Sequence, residues 1–313
     1  MPIKNELIPC NFCGSEKFST YDTMNQWVIV QCNRCGFHFT NPRPPIDSLS
    51  QYYSEEYFKD ERHISNFYHQ DGTPKADGIN YTNRVMDAES YITQRGKILE
   101  LGAARGGFLN VMAQRGWQVS GVEISQDACN QAKQLYQLDL FCGTLDEFNT
   151  TETYDVISMY QTLEHVPNPK YVIERSYDLL NNNGIIVIEV PNLNCFEMRY
   201  SHERRRLSYD LPRHLNHFTP AFLTKELKKA SFDIIDIIRN EDIWMGNYLS
   251  RKNARVRKTA ENKESHTADK KTNNQHHEIP LLKHSSGIKH KILQKINQLL
   301  PGWRFTIIGR KRS

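Results

Sequence analysis

Four cysteines near the start of the chain are spaced for metal chemistry. Cys10 and Cys13 stand in CNFCG, and Cys32 and Cys35 in CNRCG, giving C-x2-C-x18-C-x2-C. Each pair sets two thiolates on one tight turn, with a glycine that permits the bend. Two such knuckles supply four sulfurs for a tetrahedral zinc. An iron–sulfur centre or a redox dithiol would use the same residue types. A second group joins a glycine turn to a carboxylate. LELGAARGG carries Glu100, Gly102, Ala104 and Gly106, and Glu123 follows in VSGVEIS. Small residues let main-chain N–H groups come close to a ligand. A carboxylate at the end of the next strand can accept from both hydroxyls of a ribose. Dinucleotide-binding folds use the same pair, and a purely structural turn would look alike, so this segment alone is ambiguous.

A third group consists of histidines. His165 follows Glu164 in QTLEHVP, and His214 and His217 stand in LPRHLNHFTP. Each imidazole is a candidate general base. The competing reading of His165 is a residue that orders the loop before a helix. For His217 it is a buried ring hydrogen-bonded at a helix start. Two histidines three apart could bind a metal, but no third ligand stands near them in sequence. Acceptor binding or base catalysis is the preferred reading. Arg204, Arg205 and Arg206 lie just upstream and could bind a phosphate or carboxylate, although a solvated charge run is the simpler account.

These residues need a scaffold, and the chain from Lys97 onward alternates strands with helices. Strands are expected at Lys97–Leu101, Gln118–Val122, Asp139–Cys142, Asp155–Tyr160, Ile185–Val190, Phe232–Ile238 and Phe305–Gly309. Helices are expected at Tyr81–Gln94, from Gly107 to Arg115, at Gln126–Tyr136, from an Asn168 N-cap with Pro169 at N1, and from a Thr219 N-cap with Pro220 at N1. Asn181–Asn183 and Gly184 are expected to close the fourth of these. This alternation predicts an α/β fold, a doubly wound and mostly parallel seven-stranded sheet covered on both faces. The last strand is expected beside Phe232–Ile238. The expected organisation is a small zinc ribbon over 1–45, a helical connector over 46–95 and the α/β domain over 96–313. That domain carries an insertion at about 241–303. Within it, 250–279 has few large apolar residues and many charges, and is expected to be disordered. IKHKILQKINQLL is expected to form an amphipathic helix. Cys129, Cys142 and Cys195 are expected to be ordinary buried residues.

A net charge of +4 over 313 residues is too small to mark an obligatory nucleic-acid binder. No apolar run approaches bilayer thickness, and MPIKNELIPC lacks a secretory signal's apolar stretch. A cytoplasmic protein is expected, where cysteine pairs favour metal over disulfides.

The segments LELGAARGG, VSGVEIS, YDVISMYQTLEHVPNP and LLNNNGIIVIEVPN together resemble class I S-adenosylmethionine-dependent methyltransferases. The resemblance runs from about Ile98 to Ile238. With the ribbon and TNPRPPIDSLSQYYSEEYF, it extends to bacterial methyltransferases that carry a zinc-ribbon head. It implies a Rossmann-like fold with S-adenosyl-L-methionine as methyl donor. It implies that Glu100, Gly102 and Gly106 shape the methionine pocket and that Glu123 holds the ribose. Ile124 would pack on the adenine, Leu145 would hold its edge and Gln161 would line the pocket beside the sulfonium. Many members have glycine where Ala104 stands; alanine is small enough to be tolerated there if its φ is negative, and otherwise a degenerate, non-binding site is the alternative.

The leading expectation is methyl transfer to oxygen or carbon of a small molecule or glycan precursor, with a small-molecule or sugar acceptor as partner and a structural Zn2+. An RNA methyltransferase, or a non-catalytic scaffold that retains the fold, is the alternative. LEHVPNP and the expected final hairpin argue against a nicotinamide dehydrogenase.

Overall fold

The computed structural model describes residues 5–46, 48, 81–239 and 302–312. The central strands of its main sheet are apolar, β-branched runs buried on both faces, as parallel strands require, and its outer strands are partly exposed. Those strands are β4 (Lys97–Leu101), β5 (Gln118–Glu123), β6 (Phe141–Cys142), β7 (Tyr154–Tyr160), β8 (Leu180–Pro191), β10 (Phe232–Arg239) and β11 (Arg304–Lys311). Their order is β10-β11-β8-β7-β4-β5-β6. The four pairs from β8 to β6 are parallel, and β11 runs antiparallel to both β8 and β10. The expected seven-stranded, mostly parallel sheet is therefore present, with the last strand beside β10. The chain builds outward from β4 to β6 on one side and then from β7 on the other. The β4/β7 boundary is thus a topological switch point, where ligands of open α/β sheets bind.

The helices begin where their caps dictate. After α1 (Thr82–Glu89) and α2 (Gly107–Gln114), α3 (Gln126–Tyr136) starts with Ser125 accepting from the Ala128 N–H. In α4 (Pro169–Leu179) and α6 (Pro220–Lys229), the Asn168 and Thr219 side chains accept from N3 amides, with proline at N1. Between these lies α5 (His202–Tyr209). Ile98, Leu99, Ile157, Ile186 and Ile188 are fully buried at the sheet centre.

A second sheet forms at the N-terminus from β1 (Phe18–Met24), β2 (Trp27–Cys32) and β3 (His38–Thr40). Its fourth strand, β9 (Asn216–His217), comes from the distant LPRHLNHFTP segment and pairs antiparallel with β3, His38 opposite His217. Phe37 stacks between Phe39 and Phe222 of α6, so ribbon and sheet share one core.

Several expectations are corrected. The helix expected over Tyr81–Gln94 ends at Glu89, with Ser90 as its C-cap, although Tyr91 and Ile92 still pack on the same core. The third strand is only Phe141–Cys142. Asn181–Gly184 fall inside β8, in the break where the register with β7 jumps from Leu180 to Ile185. Cys142 is exposed, since β6 is an edge strand, whereas Cys129 and Cys195 are buried. Most of the 46–95 connector and nearly all of the 241–303 insertion, including 250–279 and the amphipathic segment, lie outside the described residues. Among the described residues no helix is long and apolar enough to cross a membrane.

Candidate active site

The turn after β4 is built from left-handed residues. Gly102, Ala104 and Gly106 have φ of 73°, 46° and 76°. The condition of a negative φ for alanine at position 104 is therefore not met. The Ala104 N–H points at Glu123 Oε2, 2.8 Å away, so the turn is tied to β5 in this conformation. The Ser125 N–H donates to Glu123 Oε1, also at 2.8 Å. The carboxylate that ends β5 is thereby aimed across the mouth of the turn. A Cβ on Gly102 would come within 2.4 Å of Thr162 Oγ1. The loops after β4 and β7 thus touch, and only glycine allows it. Glu100 is buried on β4, and Leu145 is buried near the end of β6. Ile124 is 74% exposed beside Glu123, an apolar face turned to solvent at the strand's carboxyl end.

The loop after β7 carries the second half. Gln161 adopts φ 57° and donates to Glu189 through its main chain at 2.8 Å, while its side chain approaches Glu189 Oε1 at 3.4 Å. Left-handed non-glycine residues concentrate at functional sites. Next come Glu164 and His165. The side chain of Glu164 is 1% exposed, and neither carboxylate oxygen has a hydrogen bond. Burial, with Glu189 and Asp210 nearby, raises its pKa to about 8. His165 Nδ1 lies 3.1 Å from the Arg213 carbonyl, and His214 Nδ1 lies 2.9 Å from the Ser208 carbonyl. A carbonyl only accepts, so both Nδ1 atoms carry hydrogen and both Nε2 atoms carry a lone pair. Burial lowers the two pKa values to about 3 and about 4, keeping both rings neutral. The rings meet edge to face at 4.7 Å.

A family model described as a methyltransferase domain matches residues 78–237, just over half of the chain. The chain belongs to the methyltransferase-domain family. Ubiquinone biosynthesis O-methyltransferases of Idiomarina loihiensis and Glaesserella parasuis are 29% and 31% identical to it over 105 and 107 residues. Each alignment covers 31% of this chain, with 43% and 45% of the respective relative. The chain thus spans less than half the length of these curated relatives. The crystal structure of a SAM-dependent methyltransferase from Archaeoglobus fulgidus superposes with a TM-score of 0.50 at 17% identity, covering 83% of this chain and 99% of that one. That likeness concerns the fold alone.

Within the methyltransferase domain, His217 does not join His214. It is buried in β9, its Nε2 3.1 Å from Thr40 Oγ1 of the ribbon. The Thr40 hydroxyl donates its proton to the His214 carbonyl at 2.8 Å, so His217 is the donor to Thr40. Burial drives the His217 pKa far down. The partners that sequence spacing could not supply to His214 are Glu164 and His165. Their ligand atoms and that of His214 lie within 4.8 Å of one another. Asn216 was also missed. Its side-chain amide donates to the carbonyls of Leu163 and Val166, at 3.2 and 2.7 Å, and fixes the Glu164 loop. Its one sequence signal is an amide lying between the two histidines of HLNHF. Arg205 faces Asp22 of the ribbon at 3.6 Å. A cleft lined by Met198, Tyr209, His214 and His217 opens beside these residues.

The four ribbon sulfurs also converge within 4.8 Å, with Cys10–Cys35 and Cys13–Cys32 each at 3.5 Å. Tetrahedral zinc with Zn–S near 2.3 Å needs sulfurs about 3.8 Å apart, so the set could hold such an ion with small adjustment.

Proposed function

We propose that the chain is an S-adenosyl-L-methionine-dependent methyltransferase acting on a small molecule or glycan precursor. The observation that carries this reading is the contact between Gly102 and Thr162. It brings the Gly102–Gly106 turn and the Glu164–His165 loop to one edge of the switch point. The donor cradle fits its group in three respects. The glycine turn packs its main chain against Thr162 at the strand ends, Glu123 is held at the end of β5, and the exposed Ile124 offers an apolar face for a purine. When bound, the donor supplies an activated methyl group on a sulfonium.

The protein's own task is then alignment and deprotonation. Positioning supplies on the order of 7–11 kcal/mol for well-oriented groups, and a base adds about 10²–10⁴-fold. His165 and His214, both neutral, stand at the acceptor side, as bases or as holders of a group that acidifies the acceptor. His217 positions His214 through Thr40. The relatives named for O-methylation favour an oxygen acceptor over carbon. In this reading Cys10, Cys13, Cys32 and Cys35 hold a structural Zn2+, and the ribbon buttresses the His214 segment.

Calorimetry with S-adenosyl-L-methionine tests the donor half. A product screen over sugar nucleotides, lipid-linked sugars, phenols and RNA tests the acceptor half. Binding of the donor with turnover on a small hydroxylated acceptor is expected. A folded protein that does not bind the donor, or that turns over RNA alone, would overturn the proposal.

A further inference from the structure

We infer that Glu164, His165 and His214 form a second metal site, for a divalent first-row cation such as zinc or cobalt, distinct from the cysteine ribbon. Three observations converge on it. The ligand atoms lie within 4.8 Å of one another. Both imidazoles donate Nδ1–H to backbone carbonyls, of Arg213 and Ser208. Metal-ligating histidines are oriented in just this way, with the other ring nitrogen left as the ligand. Glu164 is buried, and among the described residues neither of its oxygens meets a hydrogen-bond donor within bonding geometry. A carboxylate so placed is unfavourable unless a cation or proton neutralises it.

Among the described residues, acceptor atoms gather around this point. Glu164 Oε1 lies 4.0 Å from His165 Nε2, and Asp210 Oδ2 lies 3.7 Å from His214 Nε2. The Arg213 guanidinium, the nearby positive group, pairs with the other oxygen of Asp210. Lone pairs therefore face one another across a small space, an arrangement that a dication satisfies at once. Two imidazoles and one carboxylate leave open positions on such an ion. Those positions suit a hydroxyl or enolate oxygen, which the charge would acidify. This last consequence rests on the methyl-transfer reading above; metal binding itself does not.

The test uses the full chain, prepared with zinc in its ribbon and dialysed against a weak chelator. Metal content is measured, and cobalt is then titrated by calorimetry and visible absorption. Either a second zinc per chain or one cobalt without sulfur charge-transfer bands is expected. Glu164→Gln is close to isosteric, and His165→Asn lies at a partly exposed position. Each should weaken this uptake by about 10²-fold or more while ribbon zinc and the thermal transition are kept. Uptake of no metal beyond the ribbon's, or uptake unchanged in whichever variant folds, would overturn the inference. Donor affinity is read from the same samples. A protein that binds donor but no second metal sinks this inference alone, and one that binds the metal but no donor sinks only the methyl-transfer reading.

Discussion

Thr40 and His214, far apart in the chain, share a hydrogen bond of 2.8 Å from the threonine hydroxyl to the histidine carbonyl. The same hydroxyl accepts from His217. The ribbon's third strand is therefore fastened to the segment that presents an imidazole to the site. Thr40→Val keeps the shape and removes both bonds, leaving a buried donor on His217 unpaired. A loss of about 1–3 kcal/mol is expected. Chemical denaturation measures it, and a fall in turnover larger than the change in donor affinity should accompany it.

Chelation should act along the same route. If the four cysteines hold the proposed zinc, a ribbon this small should owe its order to that metal. With zinc removed, the Cys10, Cys13, Cys32 and Cys35 thiols should react with a thiol reagent while the main sheet keeps its circular dichroism. Because β3 pairs with β9, turnover should fall although donor binding changes little. Slow, unchanged thiol reactivity after chelation would contradict this.

Glu123 is held in place by two N–H donors, and the proposed function has it accept from the donor's ribose hydroxyls. Glu123→Ala should weaken donor binding by on the order of 2–4 kcal/mol, as expected for loss of charged hydrogen bonds. Calorimetry with the donor and its demethylated product provides the measure.

Ala104 sits at φ 46°, where an L-residue costs roughly 1–2 kcal/mol. Ala104→Gly relieves that strain but adds freedom to the unfolded chain. A net stabilisation of about 0.5–1 kcal/mol is expected, with the Ala104–Glu123 bond retained. Thermal unfolding of the variant decides it.

Glu89 ties α1 to the end of α2 through Arg115, and it also receives bonds from Arg95 and Trp117. The Arg115 bonds lead in lowering its pKa from 4.5 to about 2. A carboxyl lowered on folding stabilises above its unfolded pKa, and that stability is lost as pH falls from about 4.5 through about 2. Solvent screens the arginine ends, so the contribution is about 1 kcal/mol. Glu89→Gln should reduce stability at neutral pH by that amount and flatten its decline in acid, as followed by denaturation at several pH values.

Much of this was legible in the residues. β4 and α3 fall where apolar runs and Ser125 put them, and Asn168 and Thr219 cap their helices, because strand burial and capping are local effects. The cysteine spacing likewise set four sulfurs on two turns, and the glycines after Leu101 marked a tight approach. Local order could not state that the Ala104 N–H would be tied to Glu123, since that carboxylate lies on the next strand. Nor could it state that Asn216 and His217 would complete the ribbon's sheet. The separation of His214 from His217 and its meeting with Glu164 and His165 were decided by packing. A strand turns successive side chains to opposite faces, so β9 sends its histidine to the ribbon while His214, before it, faces the loop after β7. The sequence by itself determined which elements form and which residues are chemically able. Only the tertiary structure decided which of them share a space, because those contacts join segments that the chain keeps far apart.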